Sequence, residues 1–254
     1  MHGATKHNEL KMSKILGISF FNDSLDNLFN QLNEKGGLLT VPAAPALVTI
    51  VKDRHYYDSL LKSDVVIADS GYMVLIWNTF FSSKVKRVSG LEFINHFIKC
   101  SNKVKGEVFT INPSDIDTNE NTKYLNSVGI KTSAPHAYTA PFYKGEIVDE
   151  ILLNRLETLR PNWILVNIGG GTQEKLGLYL KEKLSYSPAI ICTGAALAFK
   201  TGRQVKVRNW MDKLYIGWLA RCISKPKLYV PRYLKAFKLI GLLFKYKTAQ
   251  IKLN

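Results

Sequence analysis

The chain has 254 residues, 46% of them hydrophobic and 22% charged, and carries a net charge of +15. That balance fits one large globular domain, or a domain with an appendage, and the basic excess points to an anionic partner. Three cysteines, Cys100, Cys192 and Cys222, lie far apart in apolar surroundings. They exclude a disulfide framework and read as reduced, buried thiols of a cytosolic protein, with no spacing suited to a metal.

In chain order, residues 1–14 read as a disordered N-terminus without the apolar core of a signal peptide. An apolar run at Ile15–Phe20 predicts a strand, and Asn22-Asp23-Ser24 opens a helix carrying Leu25, Leu28, Phe29 and Leu32. Leu38–Val41 and Val65–Ala68 predict further strands, the second ending on Asp69-Ser70-Gly71 before a helix over 72–80. Helices also follow from the patterns at 46–51, 56–62 and 91–99. Beyond them come a strand over 108–111, a helix over 115–125, a weak strand from Ile130 and a helix over 143–159. Trp163–Ile168 is the strongest strand signal and runs into Gly169-Gly170-Gly171. A helix over 173–184 and a strand over 189–192, ending in Thr193-Gly194, complete the alternation. Repeated strand–helix units whose strands do not alternate in polarity predict an α/β fold. The sheet would be Rossmann-like and largely parallel, covered by helices on both faces. Ligands of such sheets lie beyond the carboxyl ends of the strands, where Asp69, Asn112, Gly169–Gly171 and Thr193-Gly194 fall.

The domain is expected to span 15–200, with residues 201–254 as a basic helical appendage packed onto it. The appendage holds thirteen basic residues against one acid, Asp212, and so carries +12 of the total charge. Tyr233, Leu234, Phe237, Ile240, Gly241 and Phe244 recur at helical spacing, with Arg232, Lys235, Lys238 and Lys245 away from that stripe. A basic amphipathic helix suits an anionic membrane surface. A solvated basic face packed by its other side is the competing reading. Nucleic acid comes third, since phosphate attraction alone does not separate the two polyanions. The longest apolar run, Leu239–Phe244, is too short to span a bilayer.

Asp69 is the best candidate for a catalytic carboxylate, because an acid directly after an apolar strand sits where a base must meet its substrate. On position alone a helix N-cap explains it better. The Gly169–Gly171 loop opens a helix and could cradle an anion or form a plain tight turn; it matches neither GxGxxG nor a P-loop. Arg87 could clamp a phosphate or be a surface arginine, and His136 could be a base or a structural histidine.

Taken together, the motifs resemble the WecG/TagA/CpsF family of bacterial glycosyltransferases, family 26. They are Lys52-Asp53 with Tyr56, Ala68-Asp69-Ser70-Gly71, Arg87-Val88-Ser89-Gly90, His136-Ala137-Tyr138 and Gly169 to Gln173-Glu174. In the tail they are Thr201-Gly202 through Lys206, Trp218 with Arg221, Pro226, and Arg232-Tyr233. The resemblance implies an inverting transfer of a sugar, of N-acetylhexosamine or hexose type, from a UDP-sugar to a polyprenyl-diphosphate-linked saccharide in cell-surface polysaccharide synthesis. It implies Asp69 as general base and a substrate-binding set of Thr40, Arg87, His136, Gly169, Gly170, Gly171, Gln173, Gly194, Arg221 and Arg232. Within that set Gln173 belongs to the nucleotide-sugar pocket, and Arg221 and Arg232 hold the diphosphate. The enzyme would be cytoplasmic and peripheral on the inner face of the cytoplasmic membrane, self-associating, without metal or other cofactor and without a nucleic-acid partner.

The chain departs from the family pattern where Val41-Pro42-Ala43 replaces T-P-N, with Thr40 one position away. Ala198 also replaces an acid, and Gly171-Thr172 replaces Pro-Lys. These changes leave room for altered sugar specificity, or for a degenerate relative acting as a membrane-associated scaffold.

Overall fold

The computed structural model describes residues 10–194, 196–202, 223 and 226–252, the side chains of 228, 229 and 232 excepted. Serine and aspartate side chains open most of the helices in it. Ser24 caps α1 (Leu25–Lys35), Asp53 caps α3 (Arg54–Leu61), Ser70 caps α4 (Gly71–Phe80) and Ser89 caps α5 (Gly90–Lys99). Ser114 caps α6 (Asp115–Ser127) and Asp149 caps α7 (Glu150–Leu159), each side chain accepting an otherwise orphaned N–H of the first turn. At α5 Glu92 reaches back to the Ser89 N–H and completes a capping box. The short α2 (Ala44–Leu47), α8 (Thr172–Lys183), α9 (Ala196–Lys200), α10 (Pro226–Ala236) and α11 (Lys238–Tyr246) complete the described helices.

The strands are β1 (Met12–Ile15), β2 (Ile18–Phe21), β3 (Gly37–Thr40), β4 (Val65–Val66), β5 (Phe109–Asn112), β6 (Ala137–Thr139), β7 (Trp163–Val166) and β8 (Ala189–Cys192). They form one eight-stranded sheet in the order β1-β2-β4-β3-β8-β7-β5-β6. Every pairing is parallel except β1 with β2. This is the Rossmann-like α/β architecture that the strand–helix alternation predicts. The chain up to β4 builds one half and β5 to β8 the other; the halves meet where β3 pairs with β8.

Three differences from the sequence expectation have physical causes. The run at Ile15–Phe20 is a hairpin, turned at Leu16 and Gly17, both at positive φ (54° and 78°). Two such residues make the kind of tight turn that matches strand twist, and leucine hides the signal that asparagine would give. Strand β1 therefore begins at Met12, inside the segment read as disordered. The weak strand expected from Ile130 is instead β6, after a short 3-10 turn at Ala134–His136. The helix expected from Tyr143 starts only at Glu150, because the Asp149 carboxylate accepts the Leu152 N–H as its cap and the hydroxyls of Tyr138 and Tyr143 as well.

Alternate strand residues feed opposite layers. On one face Leu39, Val65, Ile67, Leu165 and Ile191 pack with Phe29 of α1, Phe93 and Phe97 of α5, Leu125 of α6 and Leu197 of α9. The opposite face divides. Leu38, Ile164 and Ile190 pack under α7 and α8, whereas Phe20, Val66 and Ala68 pack under α3, α4 and α11. The C-terminal segment is thus part of the core. Leu239 and Leu243 are fully buried, and Ala236 and Ile251 nearly so. Each fully buried leucine contributes roughly 1.5–3 kcal/mol. Polar bonds fix the same junction: the Leu16 N–H donates to the Lys247 carbonyl (2.7 Å), and the Ile251 N–H to Tyr57 Oη (3.0 Å).

Candidate active site

The site is assembled at the carboxyl ends of the parallel strands. Strand β4 runs into Ile67, Ala68 and the half-buried Asp69. Asp69 is not the cap of α4: Ser70 Oγ accepts the Met73 N–H at 3.1 Å and performs that task. Asp69 Oδ1 instead accepts the N–H of Gly90, the first residue of α5, at 3.1 Å. A carboxylate at a helix N-terminus is held by the positive end of the helix dipole. Arg87 Nε donates to the Asp69 carbonyl at 3.2 Å, and the Val88 N–H donates to the Ala68 carbonyl. The Arg87–Gly90 segment is thereby tied to the strand end that carries Asp69. Gly90 lies close to the neighbouring strand ends, since a Cβ there would stand 3.4 Å from Val41 Cγ1 and from the Thr193 carbonyl.

Across the seam, the loop after β7 enters α8. Gly171, at φ +90°, makes the turn that few other residues adopt. The Gly171 N–H donates to Glu174 Oε2 at 2.6 Å, and the buried Gln173 amide bridges two groups. Its Nε2 donates to Glu174 Oε1 at 3.1 Å, and its Oε1 accepts the Gly194 N–H at 2.7 Å. Gly194, at φ +60°, packs its backbone on that amide. A Cβ at Gly169 or Gly170 would meet nothing within 4 Å, so no neighbouring atom of the protein demands glycine there and the loop's outer side is open. Glu174 is fully buried, and burial pushes its carboxyl up to about 7. Burial, reinforced by Glu174 and Asp53, raises the phenol of Tyr56 well above its ordinary value, and burial with Glu174 raises the thiol of Cys192. Lys175 pairs with Asp53 at 2.7 Å and fastens α8 to the cap of α3. Burial pushes the Asp53 carboxyl up, but Lys175 and the Tyr56 N–H outweigh it and leave it lowered.

The structure therefore brings together Asp69, Arg87, Gly169–Gly171, Gln173 and Gly194. It does not bring His136 there. That ring precedes β6, at the amino end of the sheet, where Nδ1 lies 2.7 Å from Glu107 and 3.2 Å from Ser133 Oγ. Thr40 is at the correct end but wholly buried, its hydroxyl paired with Ser63 Oγ at 3.0 Å. Arg221 lies outside the described residues. Arg232 belongs to α10, but its side chain lies outside them as well.

A third wall is polar and was not expected from the apolar run at 163–168. Asn167, directly after β7, donates through Nδ2 to Asn112 Oδ1 at 3.0 Å, and Asn121 Nδ2 donates to the same oxygen at 2.6 Å. Beside the mouth, α4 and the C-terminal helices expose a continuous apolar surface. Leu75, Phe80, Leu234, Phe237, Ile240 and Phe244 are all exposed. Tyr72 meets Phe237 at 5.5 Å and Phe80 meets Phe244 at 5.4 Å, so the two elements share one surface. The stripe read from the sequence faces outward, and a second stripe, Ala236, Leu239 and Leu243, faces the core.

A largely parallel α/β sheet with an oriented carboxylate at one strand end and a glycine turn at another has the layout of a ligand-binding α/β fold. The family model described as "Glycosyl transferase WecG/TagA/CpsF family" matches residues 13–252, and the chain belongs to that family. It is thus a glycosyltransferase. It is similar to the N-acetylglucosaminyldiphosphoundecaprenol N-acetyl-beta-D-mannosaminyltransferase of Bacillus subtilis (strain 168), at 22% identity over 88% of this chain and 90% of that protein. The enzyme of the same name from Staphylococcus aureus (strain MRSA252) is 21% identical over 82% of this chain and 83% of that protein.

Proposed function

We propose that this enzyme transfers an N-acetylhexosamine or a hexose from a UDP-sugar to a polyprenyl-diphosphate-linked N-acetylglucosamine, with inversion, at the inner face of the cytoplasmic membrane. The acceptor class follows the printed names of the similar enzymes. The observation that carries the mechanism is the placement of Asp69: Ser70 takes the capping position of α4, and the Gly90 N–H orients the Asp69 carboxylate at the carboxyl end of β4. In the reaction Asp69 takes the proton of the acceptor hydroxyl while that oxygen attacks the anomeric carbon. The bond from that carbon to UDP breaks and UDP departs with the electron pair. Glu174 is buried and bonded to Gly171 and Gln173, which keeps it from the acceptor.

Arg87, with Arg221 and Arg232, opposes the charge developing on the diphosphate. The Gly169–Gly171 loop, Gln173 and Gly194 line the donor side. The exposed apolar surface, flanked by Lys235, Lys238 and Lys245, lies on the membrane, with apolar groups at the acyl boundary and ammonium groups at the phosphates. Helix α4 begins two residues after Asp69, so a lipid-linked acceptor held on that surface is delivered to the base.

The test is sugar transfer from a panel of UDP-sugars to a short-chain polyprenyl-diphosphate-N-acetylglucosamine, with anionic liposomes present. Transfer by the wild type and its loss in Asp69→Asn support the reading. Transfer undiminished in Asp69→Asn removes the base assignment, and binding of liposomes without transfer from any donor favours a scaffold.

A further inference from the structure

Two buried polar atoms at the mouth have no hydrogen-bond partner: Asn167 Oδ1 and Thr193 Oγ1. They follow β7 and β8, which are adjacent in the sheet, and each residue is 8% exposed. Both lie on the side of the sheet that α5, α6 and α9 cover, as strand alternation dictates and as contacts at each residue show. Gly90 of α5 abuts Thr193, and Asn121 of α6 shares Asn112 Oδ1 with Asn167. Asp69 lies on the same side, through its bond to Gly90.

The orientation of the Asn167 amide is set by its neighbours. Its Nδ2 is drawn to Asn112 Oδ1, while Asn112 Nδ2 is spent on Thr110 Oγ1 at 3.1 Å. The oxygen of Asn167 is left over. An unmet carbonyl in a buried position opposes folding unless something else satisfies it. A polar network that fixes one amide and leaves its acceptor unmet, at the end of the sheet where ligands bind, is built for a ligand.

We infer that Asn167 Oδ1 and Thr193 Oγ1 form a hydrogen-bonding subsite for the nucleotide-sugar donor, taking an N–H or O–H of its uracil ring or of its pyranose. The inference rests on the donor reading proposed above and extends it to residues outside the motif set. Asn167 reads a donor group, because only its acceptor is unspent; Thr193 takes or gives a proton as the ligand requires. Neither acts on the reacting bond, so both are binding and specificity groups.

The test is calorimetric titration of the full chain with UDP, UDP-N-acetylglucosamine and N3-methyl-UDP. Wild type, Asn167→Ala and Thr193→Val would be compared, and each variant also melted. Asn112 Oδ1 keeps its bond from Asn121 when Asn167 is truncated, and Thr193→Val is near-isosteric with no partner to lose. The expected result is donor binding weakened about tenfold or more in both variants, with the melting temperature of unliganded Thr193→Val not lowered. If the uracil imide is the group read, N3-methyl-UDP binds the wild type as weakly as UDP binds Asn167→Ala. If the pyranose is read, the loss shows with UDP-N-acetylglucosamine and not with UDP. Should Asn167→Ala fail to fold, Thr193→Val carries the test. Variants that bind both nucleotides as tightly as the wild type overturn this inference alone; a wild type that binds neither overturns the donor reading with it.

Discussion

The loops that leave β4 and β7 each carry an acid to the same mouth and treat it in opposite ways. After β4, Asp69 stays half-buried, accepts the Gly90 N–H and leaves the capping of α4 to Ser70. After β7, Glu174 is fully buried and bonded to Gly171 and Gln173, so its charge is spent on shaping a turn. One acid keeps solvent access beside a helix N-terminus, and the other is closed in behind a glycine turn. Residue type does not separate the two settings; solvent access does.

The contrast can be broken from either end. Asp69→Asn keeps the size and the Gly90 bond but removes the base. Transfer should fall roughly 100- to 10,000-fold while donor affinity in calorimetry stays near that of the wild type. The support under the β4 loop comes from the C-terminal helix, so Leu243→Ala should cost about 2–5 kcal/mol in urea unfolding, with a cavity below α4.

On the β7 side, Glu174 is protonated more easily folded than unfolded, its carboxyl raised from an ordinary 4.5 to about 7. Its contribution to stability is full below about pH 4.5 and is lost as the pH rises to about 7. The groups that bear on it are the Gln173 amide, the Gly171 N–H and Lys175 of its own helix, and it acts in turn on Tyr56 of α3 and Cys192 of β8. Glu174→Gln should flatten the stability–pH curve across that window, a change on the order of 3 kcal/mol. The smallest effect belongs to the outer stripe. Phe237→Ser with Phe244→Ser should weaken binding to anionic liposomes by roughly tenfold while altering the melting temperature little, because both side chains are exposed. Unchanged liposome binding would detach this surface from the membrane.

Sequence alone supplied the α/β class, the parallel sheet and the strand-end positions of Asp69, Gly169–Gly171 and Gly194, because unalternated apolar runs and the polar turns after them are local signals. It also supplied the family, through motifs spread along the chain. Only the tertiary structure decided where each candidate lies and what it bonds. Asp69 and Ser70 are both good caps, and only the packed helix shows that serine took the position. His136 sat in an unassigned loop until β6 was placed after it, which puts the ring at the wrong end of the sheet. The C-terminal helices are apolar on two faces, and periodicity reports stripes without saying which one meets the core. Asn167 was hidden inside an apolar run. Its significance lies in a partner 55 residues away and an oxygen left without one, which are relations between segments that no local pattern encodes.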